Sequence, residues 1–247
     1  MKPVILRPNA TAVYRFLSAI NSRLPAEDSL LGKRILDCGG GGPVPPVAIF
    51  AEQGMEAHAI DISEAYLAKS RAFCEQTGIR IELRLGDMRA LAYDDGTFDY
   101  VYEHYSICHL SPFDTAAALA EMRRVLKPGG LARIGVISTD SWPLSSYGKE
   151  ASPGEYRSTE GGEEVSHSVF SDRQADALVS DWEVLRKEKG VRILRAQGEE
   201  TSEDAWRSLY PEARDPCSEA EWMARYPDRA NCFTYVHAFY DLRKPAA

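Results

Sequence analysis

The 247-residue chain has no apolar run near the ~18 residues that a membrane-spanning helix needs. Met1-Lys2-Pro3-Val4 does not lead into the long apolar stretch of a signal peptide. Cysteine is scarce: Cys38, Cys74, Cys108, Cys217 and Cys232 are scattered, with no CxxC pair. An odd, unpatterned set excludes a disulfide framework and a zinc knuckle, and points to reduced thiols in a cytoplasm. Basic charge is also short, with 29 Lys and Arg against 37 Asp and Glu, a net of −8. Such a surface is unsuited to gripping nucleic acid. What is present is ordinary globular composition, 44% hydrophobic and 27% charged. At about 150 residues per domain, the length allows one or two domains.

The hydrophobic pattern alternates between strand and helix. Asn9 caps a predicted helix whose apolar face is Val13, Phe16, Leu17, Ile20 and Leu24. Strands are predicted at Lys33–Cys38, Ala57–Ile60, Ile79–Leu85, Phe98–Glu103 and Leu131–Ser138. Helices are predicted at Val44–Gln53, from Ser63 to Thr77 with Gly78 as the stop, and at Asp114–Leu126. Repeated alternation implies right-handed crossovers and a mostly parallel sheet covered on both faces. Ile35-Leu36 and Ile134–Ile137 read as central strands. Ile79–Leu85 alternates strictly and belongs at one edge, and the similarly polar Val184–Leu194 at the other. Phe233–Tyr240 is an aromatic-rich last strand.

Two stretches break the alternation. Thr139–Phe170 has no clear period, which predicts a functional loop or lid. Residues 196–230 contain the pattern S-E-x-x-W-x-x-x-Y-P-[ED] twice, at Ser202–Glu212 and Ser218–Asp228. Each copy reads as a short helix with a Ser cap, Trp and Tyr on one face, and a Pro stop. These two stretches carry the chain's net negative charge: six acids against two bases in 139–170, and nine against four in 196–230. A negative rim would favour a neutral or cationic small molecule and exclude nucleic acid.

The chemistry concentrates at Ile35-Leu36-Asp37-Cys38-Gly39-Gly40-Gly41-Gly42-Pro43. A buried strand that runs into glycines and then a helix lets backbone approach a ligand at the carboxyl end of a sheet. A dinucleotide would need G-x-G-x-x-G, but Val44 stands at the third glycine. Pro43, Pro45 and Pro46 also lack the N–H groups a pyrophosphate would use. Asp61 ends the second strand, where a carboxylate can accept from both hydroxyls of a ribose. Asp87-Met88 follows the third strand, an acid for an exocyclic amine beside a side chain for a ring face. Cys108-His109 lacks further ligands at metal spacing, so no metal site is expected, and His109 is expected beneath the loop after the fourth strand.

Together these motifs, with FDYVYEHYSICHL at 98–110 and EMRRVLKPGG at 121–130, resemble the class I S-adenosylmethionine-dependent methyltransferases of the small-molecule type. The likeness covers about residues 33–137, with Pro43 at the third place of the family's G-x-G-x-G. It implies a doubly wound seven-stranded, mostly parallel sheet, the Rossmann-like methyltransferase fold, with lid insertions and an antiparallel last strand. One domain is then expected over 1–247: a helical cover at 1–32, a cofactor-binding half at 33–138, lids at 139–170 and 196–230, and C-terminal elements at 171–195 and 231–243. S-adenosylmethionine is the implied cofactor. Its implied contacts are Asp37, Gly39, Gly40, Gly41, Asp61, Ile62, Asp87, Met88 and Glu103. His104 is the first candidate for a general base and Glu103 the second, with Tyr105 and His167 against the acceptor. Two other readings stay open. One is a nicotinamide-dependent oxidoreductase. The other is a non-catalytic cofactor-binding module, which a cofactor pocket without an acceptor cavity would favour.

Overall fold

A computed structural model describes residues 10–25, 28–160, 163–195 and 232–246. Asn9 and the duplicated segment at 196–230 lie outside the described residues. The chain opens on α1 (Ala10–Asn21), followed by β1 (Arg34–Cys38), α2 (Ala48–Glu52), β2 (Glu56–Asp61), α3 (Glu64–Thr77), β3 (Glu82–Leu85) and β4 (Phe98–Glu103). Then come α4 (Pro112–Val125), β5 (Leu126–Ser138), β6 (Lys149–Ser152), β7 (Glu155–Glu160), β8 (Glu163–Phe170), α5 (Asp172–Leu178), β9 (Glu183–Arg195) and β10 (Cys232–Arg243).

The strands run in the order β3-β2-β1-β4-β5, all parallel. β10 joins β5 antiparallel, and β9 pairs antiparallel with β10 at the far edge. This is the expected doubly wound sheet, with β3 and β9 at its edges. Pleating explains the two cores, because neighbouring strand residues face opposite sides. Ile35 packs with Val13, Phe16 and Ile20 of α1. Leu36 packs with Leu119 and Met122 of α4 on the other face. Edge strand β3 leaves Glu82, Arg84 and Leu85 exposed.

Several elements differ from the sequence expectation. The helix predicted at 44–53 begins only at Ala48, because Pro45 and Pro46 cannot donate. Their carbonyls instead accept from Ala48 and Ile49, at 3.1 and 3.2 Å. The strand predicted at 79–85 is only Glu82–Leu85, where β2 supplies a pairing partner. α3 ends as expected, on Gly78 at φ +73°. Residues 139–170 are not an open loop. β6, β7 and β8 form an antiparallel meander, and the end of β8 pairs parallel with β5 through Ile137–Val169 and Ser138–Phe170. Its strands follow no apolar alternation, so their pairing was invisible to periodicity. Among the described residues, no helix is long and apolar enough to cross a membrane.

Candidate active site

The site begins where β1 and β2 end together. Gly39, at φ +82°, turns the chain, and the N–H groups of Gly39 and Gly40 both donate to the Ile60 carbonyl, at 2.9 and 3.0 Å. Gly41 N–H donates to Asp61 Oδ2 at 3.0 Å, and Ser63 N–H donates to Oδ1 at 2.8 Å. A Cβ on Gly41 would fall 2.7 Å from the Asp61 carboxyl carbon. The carboxylate therefore clamps the glycine loop while still facing the adjoining cavity of about 780 Å³. Gly39, Gly41, Asp61, Ile62, Asp87 and Met88 line that cavity together. Ile62, 72% exposed, gives it an apolar lip.

Two expected contacts lie beneath the cavity. A Cβ on Gly40 would fall 2.8 Å from the Asp37 carboxyl carbon, so Gly40 faces inward. Asp37 is buried, and desolvation together with nearby Glu103 pushes its carboxyl well above the usual range. Asp87 faces the cavity but is already engaged. Arg89 donates to its two oxygens at 3.0 and 2.9 Å from Nε and at 2.6 Å from a terminal nitrogen. This bond, absent from the sequence reading, holds the Asp87 carboxyl below its ordinary value.

The exit of β4 rearranges the expected catalytic pair. Glu103 is fully buried, with Oε1 accepting from Ser106 and Ile107 N–H at 2.7 and 2.8 Å and Oε2 from Gly135 N–H at 3.0 Å. Burial pushes its carboxyl up to about 7, against the lowering effect of those donors. It does not line the larger cavity, so its place is that of a positioning residue. His104 stacks between Tyr102 and Phe239, at 6.1 and 5.4 Å between ring centroids. Burial first, then His237 and Arg133, lowers its imidazole to about 3. It does not line the larger cavity, and burial holds its imidazole neutral.

Tyr105 carries the turn at φ +66°, the one positive φ outside glycine among the described residues. A left-handed residue with a Cβ costs about 1 kcal/mol. Tyr105→Gly is therefore expected to be more stable than Tyr105→Ala by about 1 kcal/mol in urea unfolding, the reverse of the usual order. An alanine variant at least as stable as the glycine one would remove the strain.

Tyr105 also lines a second cavity of about 380 Å³. His109, Tyr147, His167, Arg192, Tyr235 and His237 are among its other walls. The 3₁₀ turn Ile107–His109, fixed from below by Glu103, delivers His109 to the surface instead of beneath the loop as expected. Tyr105 and His109 line both cavities. His109 Nδ1 lies 3.2 Å from the Ser166 carbonyl of β8, and its ring centroid is 5.0 Å from that of His167. His167 thus comes to the site from the meander. Among the described residues, no group of three or more His, Cys, Asp or Glu is placed to hold a metal.

The described walls of the smaller cavity include no carboxylate. Asp140 pairs with Lys189, and Glu155 and Glu164 pair with Arg157. A tally of charge along the chain cannot show which face of a meander carries it. The acids of 196–230 lie outside the described residues.

A family profile described as "Methyltransferase domain" matches residues 35–130. That segment is similar to a methyltransferase domain. The chain is 30% identical over 168 residues to 24-methylenesterol C-methyltransferase 2 of Oryza sativa subsp. japonica, covering 66% of this chain and 42% of that protein. It is 33% identical over 125 residues to the ubiquinone biosynthesis O-methyltransferase of Methylococcus capsulatus, covering 50% of each. The chain thus spans half or less of the length of these curated relatives. In fold it is similar to a SAM-dependent methyltransferase of Methanosarcina mazei, with a TM-score of 0.63 at 16% identity over 99% of this chain and 100% of that one.

S-adenosylmethionine is the cofactor of this methyltransferase family, and the larger cavity fits it. Gly39 and Gly41 let the loop pack against Ser106 and the Asp61 carboxyl, where a Cβ on either would collide, so backbone lines the cavity beside that carboxylate. Asp61 would hold the ribose hydroxyls through its carboxylate, and Ile62 and Met88 would give apolar cover to the base, all three lining the cavity. The missing N–H groups at Pro43, Pro45 and Pro46 cost a cofactor without phosphates nothing.

Proposed function

We propose that this chain transfers a methyl group from S-adenosylmethionine to a small-molecule acceptor held in the smaller cavity. The observation that carries this reading is the common wall: Tyr105 and His109 line both cavities. The bound cofactor supplies a methyl group already activated by its sulfonium, so the protein mainly positions and desolvates. Asp37 and Gly40 support the loop from below, and Gly39, Gly41, Asp61, Ile62, Met88 and Asp87 hold the cofactor. The β7–β8 hairpin, through Glu155, Arg157 and Ser166, walls the larger cavity and excludes water. Cys38 and Cys74 are free thiols, which supports a reducing, cytoplasmic setting.

His109 is the proton acceptor in this reading, in place of His104 and Glu103. A carbonyl oxygen only accepts, so the Ser166 contact makes Nδ1 the protonated nitrogen and leaves the Nε2 lone pair free to accept. A hydroxyl or amine of the acceptor gives its proton to Nε2. His109→Gln is expected to lower turnover by roughly 10²- to 10⁴-fold while S-adenosylhomocysteine affinity stays within about threefold. Turnover within about threefold of wild type would remove the base.

The oxidoreductase reading fares worse, because the five-residue α2 and the prolines before it leave no row of N–H donors for a pyrophosphate. A non-catalytic module would not need the second cavity. Calorimetric titration with S-adenosylhomocysteine and with NADH, followed by a labelled-methyl screen of small metabolites, tests the proposal. Binding of NADH without S-adenosylhomocysteine would overturn it.

A further inference from the structure

Resting on that reading, we propose that the acceptor is a single aromatic ring bearing one anionic group, a carboxylate or its equivalent, anchored by Arg192. The pairing register sets the geometry. β9 and β10 place Arg192 opposite Tyr235 and Gly190 opposite His237, and all four line the smaller cavity. Gly190 lets the strands close, since a Cβ there would fall 2.8 Å from the Phe239 ring. Arg192 therefore stands at the exposed mouth of a chamber walled by Tyr105, Tyr147, Tyr235 and imidazoles.

Charge decides the ligand class. Arg192 is the permanent cation among the described walls, and no described carboxylate lines the chamber. The contrast with nearby arginines is direct. Arg133 is paired with Asp241 and Glu188, Arg186 with both of these, Arg157 with Glu155 and Glu164, and Arg243 with Glu183. Arg192 forms no ion pair with any described residue. Its charge is felt inside the chamber, where, after burial, it lowers the His237 imidazole, which sits at about 4 and is neutral at pH 7. A guanidinium with no ion pair among the described residues, at the rim of an aromatic cavity, complements a planar ring with a carboxylate, which it can grip with two parallel hydrogen bonds. A cationic acceptor would meet repulsion there, the reverse of what the charge tally suggested.

The test compares 4-hydroxybenzoate with the isosteric 4-hydroxybenzamide by calorimetry, on the chain with and without saturating S-adenosylhomocysteine. The acid is expected to bind about tenfold or more tightly than the amide. Arg192→Gln is expected to abolish that preference, Arg192→Lys to keep part of it, and both to leave S-adenosylhomocysteine affinity and the melting temperature unchanged. Equal binding of acid and amide to wild type would overturn the proposal. So would a preference that survives in Arg192→Gln, or no binding of either ring at millimolar concentration. Absence of S-adenosylhomocysteine binding would instead overturn the cofactor reading, while the acid–amide comparison on the ligand-free chain still decides the anion site.

Discussion

Asp61→Ala is expected to weaken S-adenosylhomocysteine binding by roughly 30- to 1,000-fold, or about 2–4 kcal/mol. Two losses combine. The carboxylate that would accept from the ribose hydroxyls disappears. The N–H groups of Gly41 and Ser63, now held at 3.0 and 2.8 Å, lose their acceptor, so the glycine loop is no longer clamped to the end of β2. Asp61→Asn keeps one carbonyl oxygen and is expected to fall between the two. Titration calorimetry reads all three proteins. Affinity of the alanine variant within about threefold of wild type would take Asp61 off the ribose.

Glu103→Ala is expected to destabilise the fold by about 3–5 kcal/mol at pH 6, since it strands two buried N–H groups and one half-buried one at about 1–3 kcal/mol each before relaxation. The donors are Ser106, Ile107 and Gly135, so the damage reaches the turn that carries Tyr105 and His109. Urea unfolding measures it, and a loss under about 1 kcal/mol would mean the carboxylate is dispensable. The wild-type chain should also show a pH dependence with a definite sign. Burial raises the Glu103 carboxyl from 4.5 to about 7, so the folded chain holds a proton that the unfolded chain has released. This contribution is fully present below about pH 4.5 and is lost as pH rises towards 7, a change of about 3 kcal/mol. Glu103→Gln, which cannot ionise, should lack that slope. The same slope in the glutamine variant would assign it to other groups.

Much of the cofactor half was legible in the chain itself, for local reasons. Ile35-Leu36 buries both faces of a central strand, Ser63 and Gly78 cap and stop α3, and glycines at 39–41 leave room that only their missing Cβ atoms provide. Edge strands announced themselves because a half-wet strand must alternate. The Asp61 carboxylate and the 86–88 motif follow those strands directly, so sequence position and spatial position coincide.

The smaller cavity obeyed no such locality. Its walls come from the β4 exit, β8, β9 and β10, which meet only through long-range pairing. From one-dimensional spacing, Glu103 and His104 looked like the reactive pair because they follow the strand. Tertiary packing drove one under three N–H donors and the other between two aromatic rings. His109 and Arg192 carried no motif. They matter because a 3₁₀ turn and a strand register bring them to the same cavity. The sequence by itself determined a parallel sheet ending in a cofactor cradle, because those features depend on near neighbours in the chain. Only the tertiary structure decided which side chains line the smaller cavity and which charge stands at its mouth, because both depend on which strands pair and in what register.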